Sequence, residues 1–183
     1  MLTLTDTPRI YVACLAAYNN GFLHGAWIDA DQDAEDIRKE VREMLKTFPA
    51  WKLSDICEEW AIHDYDNFGN IHLSEWEDFE TVSALAQAIA NHGPAFAAFY
   101  GTARYGDVAS TVEAFEDAYQ GIYDDKEDFV YSQLEDLGTL DAWEKAGMMT
   151  CYIDFAAIAR DWFITDYFAE PTPKHQVYVF AYL

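Results

Sequence analysis

Residues 113–128 read EAFEDAYQGIYDDKED, which packs the end of a helix, a strand and the start of a second helix into one short stretch. The first helix begins upstream: Val108, Val112, Phe115 and Tyr119 recur at spacings of four, three and four, the apolar stripe of an amphipathic helix, with Asp107 placed to cap it. From Tyr119 to Asp124 the residues are aromatic and β-branched around Gly121, so the helix gives way to a short strand. Asp125 can cap the next helix, Glu127 and Asp128 suit its positive N-terminal end, and Val130, Leu134 and Leu137 give it an apolar face closed by Gly138. The strand YQGIYD opens an α+β unit in a chain whose fold class reads as α+β.

Seven carboxylates in this stretch stand against one base, Lys126. Glu113, Glu116 and Asp117 share the helix face opposite the apolar stripe. Like charges three and four apart cost about 0.2–0.5 kcal/mol per pair, so local stability does not explain acids at all three positions. Asp124, Asp125, Glu127 and Asp128 follow, and Glu135 and Asp136 fall in the last turn of the second helix. The macrodipole disfavours anions there by about 0.3–1 kcal/mol each. Charge runs ordinarily form a solvated face. Several of these nine carboxylates stand where they weaken helices, which makes the set a candidate for binding a partner.

The rest of the chain repeats the bias. Lys and Arg number 11 against 33 Asp and Glu, a net charge of −22, distributed as −5 over residues 1–60, −6 over 61–103 and −11 over 104–183. No Lys or Arg occurs between Lys52 and Arg104, although Asp and Glu appear nine times there. Where about one residue in eight is ordinarily basic, such a gap is rare. A molecule this acidic is repelled by nucleic acid, whose affinity for proteins comes largely from Lys and Arg neutralising phosphates, and by anionic membrane surfaces. Its natural complement is a basic protein surface, of which the groove of a nucleic-acid-binding protein is the commonest large example.

At 183 residues and 51% apolar content the chain can bury a core, and its twelve Phe, twelve Tyr and six Trp exclude a disordered acidic tail. No apolar run approaches the roughly 20 residues that span a bilayer, and the opening MLTLTDTPRI lacks the pattern of a signal peptide, so a cytoplasmic protein is expected. Cys14, Cys57 and Cys151 are odd in number and far apart in sequence, which predicts reduced, buried thiols.

Upstream, Ile10 to Tyr18 and Phe22 to Ala30 predict two strands joined at Asn19-Asn20-Gly21 as a hairpin. Asp31 to Asp33 then cap a helix with Ile37, Val41, Met44, Leu45 and Phe48 on one face, stopped at Pro49, and Trp60 to Asp66 alternates as a third strand. Residues 1–66 therefore form a ββαβ domain. Ser74 and Glu77 form a capping box ahead of Trp76, Phe79, Val82, Leu85, Ala86 and Ile89. Asn91-His92-Gly93-Pro94 ends that helix and starts another, AFAAFY, terminated by Gly101, so residues 67–116 form a helical middle domain. In residues 117–183 the first strand, YQGIYD, is followed by the acidic helix, a poor-propensity connection GTLDAWEKAGMMT, and a helix capped by Asp154 with Phe155, Ile158, Ala159 and Trp162 inward. Two strands, Asp166 to Phe168 and VYVFAYL, separated by EPTPK, complete a C-terminal α+β domain.

Catalytic signatures are missing from the sequence: it has no Gly-rich phosphate loop, no G-x-S-x-G and no His-x-x-x-His or Cys-x-x-Cys pair, and His24, His63, His72, His92 and His175 are scattered. No enzyme activity, cofactor or metal is expected. Asp64-Tyr-Asp66-Asn-Phe68-Gly69, with Ile71 and Glu75, resembles a calcium loop. Phe68 stands where an oxygen ligand belongs, and a strand precedes the segment where an EF-hand needs a helix. An acidic calcium-binding protein, or an adaptor for some other basic surface, is the alternative to a groove-binding protein.

Three segments together resemble the ArdA antirestriction family, proteins that mobile plasmids and transposons carry against type I restriction enzymes during conjugation. IYVACLAAYNNGFLHGAWIDA is similar to the family's opening hairpin, EEWAIHDYDNF to the strand after it, and EAFEDAYQGIYDDKEDF to its antirestriction motif, apart from Ile122 where the family often has an acid. The resemblance implies an elongated homodimer of three small domains per subunit, β-containing at the N- and C-terminal ends and helical in the middle. It implies that the carboxylates imitate DNA phosphates in the groove of the methyltransferase and specificity subunits of a type I restriction-modification enzyme. It also implies a dimer contact through the C-terminal domain.

Overall fold

The computed structural model describes residues 7–49, 57–103 and 105–183. The opening MLTLTD, which bears on the absence of a signal peptide, lies outside the described residues. The chain divides between Val112 and Glu113 into two compact units, each with a three-stranded antiparallel sheet, and the mixed α+β class is observed. The first unit takes in the leading sheet and the helices up to residue 102, and the division falls within the next helix, Val108–Ala118.

In the first unit β1 (Arg9–Cys14) lies between β2 (Gly25–Asp29) and β3 (Trp60–Asp66). Ile10, Val12, Ile28 and Ile62 are buried, as the alternation requires. The helix α2 (Ala34–Thr47) lies against β2 and buries Ile37, Val41 and Met44. Between β1 and β2 the structure differs from the expected tight hairpin. The first strand stops at Cys14, and a single helical turn, α1 (Leu15–Asn19), fills the connection. Leu15, Ala16 and Ala17 favour helix over strand, and the Cys14 Sγ accepts the Ala17 N–H at 3.4 Å at the start of the turn. Only Gly21 uses a positive φ, of 80°.

After β3 the chain runs through α3 (Phe79–His92), α4 (Pro94–Thr102) and α5 (Val108–Ala118). The cap of α3 is Asp78, whose Oδ1 accepts the Thr81 N–H at 2.8 Å; Ser74 and Glu77 form a turn before it instead. Trp76 therefore stands ahead of the helix and is 64% exposed, off the buried face it was expected to join. Gly93, at φ 74°, and Pro94 separate α3 from α4 as expected, but α4 runs past Gly101 to Thr102. Helices and sheet are bound into one unit by the Trp60–Phe79 stack at 4.3 Å, the Ser83 hydroxyl donating to the Gln32 carbonyl at 2.6 Å and the Arg38–Glu80 ion pair.

In the second unit β6 (Val177–Ala181) lies between β4 (Tyr119–Tyr123) and β5 (Tyr167–Pro171). The helices α6 (Lys126–Asp136), α7 (Thr139–Lys145) and α8 (Phe155–Thr165) complete it, with a 3-10 turn at Thr150–Tyr152. Phe129 is the hub of the core: Tyr123, Phe163 and Tyr167 meet its ring edge-on at 5.0, 5.8 and 4.8 Å. Removing such a ring costs about 3–5 kcal/mol. Asp154 caps α8 by accepting the Ala157 N–H at 2.9 Å.

Four expectations fail here for local reasons. Leu137 is 73% exposed because α6 ends at Asp136, so its side chain leaves the stripe of Val130 and Leu134. The connection after Gly138 contains α7, whose Leu140, Ala142, Glu144 and Lys145 are good helix formers and whose Leu140 is buried. Strand β5 continues into the supposed spacer as far as Pro171, tolerated because β5 is an edge strand. Cys14 is buried, but Cys57 is half-buried and Cys151 is exposed.

Candidate partner-binding surface

The acidic set is positioned by α5, by the turn from β4 to α6, and by α6 itself. Asp107 starts α5: its Oδ1 accepts the Ser110 N–H at 2.8 Å, a bond that holds its carboxyl below the usual carboxylate range. The stripe Val108, Thr111, Ala114, Phe115 and Ala118 is buried, which turns Glu113, Glu116 and Asp117 to solvent. In the following turn Asp125 Oδ1 accepts the N–H groups of Glu127 at 2.8 Å and Asp128 at 2.9 Å. Asp128 Oδ2 accepts the Asp124 N–H at 3.1 Å, and Asp124 Oδ1 accepts from the Gln176 side-chain amide at 3.0 Å. Three of the nine carboxylates thus also hold the β4–α6 turn together, a role that sequence spacing reveals only for Asp125.

All nine carboxylates are exposed. Glu113, Asp117, Glu127, Glu135 and Asp136 take no hydrogen bond and no ion pair from the described residues. Lys126, the base among them, sets its ammonium 4.8 Å from the centroid of the Phe163 ring instead of neutralising an acid. By contrast, Glu35 on α2 and Glu80 on α3 are ion-paired: Arg42 beside Glu35 and Arg38 beside Glu80 hold these two carboxyls below the usual range. The two ends of the acidic set on α6, Glu127 and Asp136, are separated by roughly 13 Å of helix. What this arrangement offers a partner is a field of solvent-facing anions held on two helices and the turn between them.

The calcium-loop residues are disposed otherwise. Asp66 is engaged with Arg9 at 3.0 Å, Asp64 accepts from the Tyr65 N–H at 2.9 Å, and Phe68 is buried where the fifth ligand belongs. Strand β3 occupies the place of an entering helix. Among the described residues no group of three or more His, Cys, Asp or Glu is placed to hold a metal ion. No helix among them is long and apolar enough to cross a membrane.

Sequence spacing missed two juxtapositions. Cys57 lies near Cys14, and burial first, with the influence of Cys14 second, pushes the Cys57 thiol up to about 11. On the first sheet Tyr11 and Trp27 come together at 5.5 Å through strand register alone. Neither pair has a sequence signal, because register is set by the pairing of distant segments.

No individual curated protein matches the chain. The family model of the antirestriction protein ArdA matches residues 10–172, all but the two ends. On that match the chain belongs to the ArdA family of antirestriction proteins.

Proposed function

We propose that this antirestriction protein is an acidic mimic of duplex DNA, which occupies the DNA-binding groove of a type I restriction-modification enzyme and so shields incoming mobile DNA from restriction. The observation that supports the reading is the nine exposed carboxylates, five of them without a side-chain partner among the described residues, with Glu113, Glu116, Asp117, Glu135 and Asp136 standing where acids weaken a helix. Burial of the apolar stripes turns these charges outward, and the five without a side-chain partner among the described residues are Glu113, Asp117, Glu127, Glu135 and Asp136. A groove lined with Lys and Arg, shaped for phosphates, is the surface they fit. The partner is the assembly of methyltransferase and specificity subunits, the protein acts in the cytoplasm as a homodimer of three-domain subunits, and inhibition needs no catalysis, cofactor or metal.

Competition tests the target. The purified protein at low salt is expected to displace a labelled operator-length duplex from a type I methyltransferase. Retention of the duplex at saturating protein overturns the assignment and leaves an adaptor for a different basic surface.

A further inference from the structure

The first sheet keeps one face toward α2; on the other, Ala13 and Ala61 are buried, while Arg9, Trp27, Asp29, Asp64 and Asp66 are exposed. Cross-strand register puts Arg9 between Asp29 and Asp66, and Tyr11 between Trp27 and Asp64. These residues form a ladder. The Arg9 guanidinium sits 4.7 Å from the Trp27 ring centroid while pairing with Asp66 at 3.0 Å. The Tyr11 ring in turn lies across Gly25, where an added Cβ would come within 2.7 Å of the ring and 2.5 Å of the Val12 carbonyl. Gly25 therefore permits the ring position that the ladder needs. Trp27 remains 43% exposed, and a recess of about 330 Å3 is lined by Arg9, Asp29 and Asp66 of the ladder together with Thr7 and Asn67.

Trp, Tyr and Arg are the residues that carry most binding energy at protein interfaces, particularly when held rigid. On this face the carboxylates of Asp29, Asp64 and Asp66 outnumber Arg9, so the field favours a cation. Arg9 itself demonstrates that a guanidinium fits between an aromatic face and a carboxylate here. Asp29, opposite Asp66 across β1, takes no side-chain hydrogen bond from the described residues and is available to a second cation.

We propose that the exposed part of this face of the first sheet, around Trp27, is a second docking surface, an aromatic anchor that takes an arginine- or lysine-bearing segment of the restriction enzyme. An incoming guanidinium stacks on the exposed side of the Trp27–Tyr11 pair and bonds to Asp29. This proposal rests on the partner reading above, and it differs in kind from phosphate imitation: stacking is screened by salt far less than a field of exposed charges.

The test is Trp27→Ala, with Asp29→Asn as a second, less invasive variant, each verified as folded by circular dichroism. Affinity for a type I methyltransferase is expected to fall about 10- to 30-fold for Trp27→Ala, with the slope of affinity against salt unchanged. Wild-type affinity in both folded variants overturns the proposal, as does a dimer that dissociates in Trp27→Ala while enzyme affinity holds, which would assign the face to a second copy. If the wild-type protein itself does not bind the enzyme, the partner reading fails and the anchor is judged on a deca-arginine peptide. Weaker peptide binding by Trp27→Ala then sustains it, and equal binding overturns it.

Discussion

Asp125 and Glu127 are both exposed acids of the same turn, yet only Asp125 accepts backbone hydrogen bonds. Replacing a capping Asp by Ala ordinarily costs about 1 kcal/mol, so Asp125→Ala is expected to lower the melting temperature and, with it, the amount of active protein. Glu127→Gln should leave stability within about 0.5 kcal/mol. Single neutralisations at Glu113, Asp117, Glu127, Glu135 and Asp136 should each weaken enzyme binding slightly, since exposed ion pairs contribute about 0.2–1 kcal/mol apiece. Abrupt loss of inhibition from one of these changes, in a folded protein, would contradict a distributed mechanism, because losses of that size belong to catalytic groups. Caps also set the acid limit. The Thr81 N–H holds the Asp78 carboxyl below the usual range, as the Ser110 N–H does for Asp107. Folded values below unfolded ones mean that the stability these groups add is fully present above the ordinary value of about 3.9 and disappears as pH falls through the folded one. Asp78→Asn and Asp107→Asn retain a capping oxygen that does not titrate, so the melting temperature should fall less steeply below pH 4 than in the parent.

At the level of the elements, the proposed role of the acids makes α5 a helix on which folding and inhibition can be tested apart. Its buried stripe holds the helix, while Glu113, Glu116 and Asp117 repel one another on the outer face. The triple change Glu113→Gln, Glu116→Gln, Asp117→Asn should raise the thermal midpoint slightly while reducing inhibition, with departures from additivity because the three share a face. Stability and inhibition falling together would mean that the acids serve the fold. The elements that patterning located best share this property of a strong local cause. Strand β3 occupies Trp60–Asp66 as read from alternation, and Gly93-Pro94 divides α3 from α4 where a positive φ and a missing N–H require it. Patterning failed where several weak preferences competed. One turn of Leu-Ala-Ala helix replaced the expected tight turn of a hairpin whose two strands do pair antiparallel, α7 lay hidden between Gly138 and Gly147, and Leu137 kept the spacing of a buried stripe one residue after its helix had ended. For the candidate surface, exposure of the nine acids follows from the apolar stripes opposite them and was legible. The bonds of Asp124 to Gln176 and of Trp27 to its neighbours depend on register between distant segments and were not.

Across the whole molecule, a net charge of −22 acts on folding and on binding in opposite senses. Self-repulsion lowers the stability of the compact state, and salt relieves it over a Debye length of about 8 Å at 0.15 M. The same screening weakens attraction to a basic groove. Raising salt should therefore increase the melting temperature while enzyme affinity falls steeply, and a flat binding response would point to an apolar interface. Charge also sets a length. Duplex DNA carries one charge per about 1.7 Å of axis, so −22 is matched by roughly 37 Å of duplex and a pair of chains by roughly 75 Å. A groove that reads two separated half-sites needs the longer of these, which one subunit does not supply. Sedimentation and small-angle scattering at the inhibitory concentration are thus expected to show a dimer extended enough to spread its charge along such a groove. A compact monomer that still inhibits fully would break the link between charge count and groove length, and the carboxylates would then have to act on a single half-site.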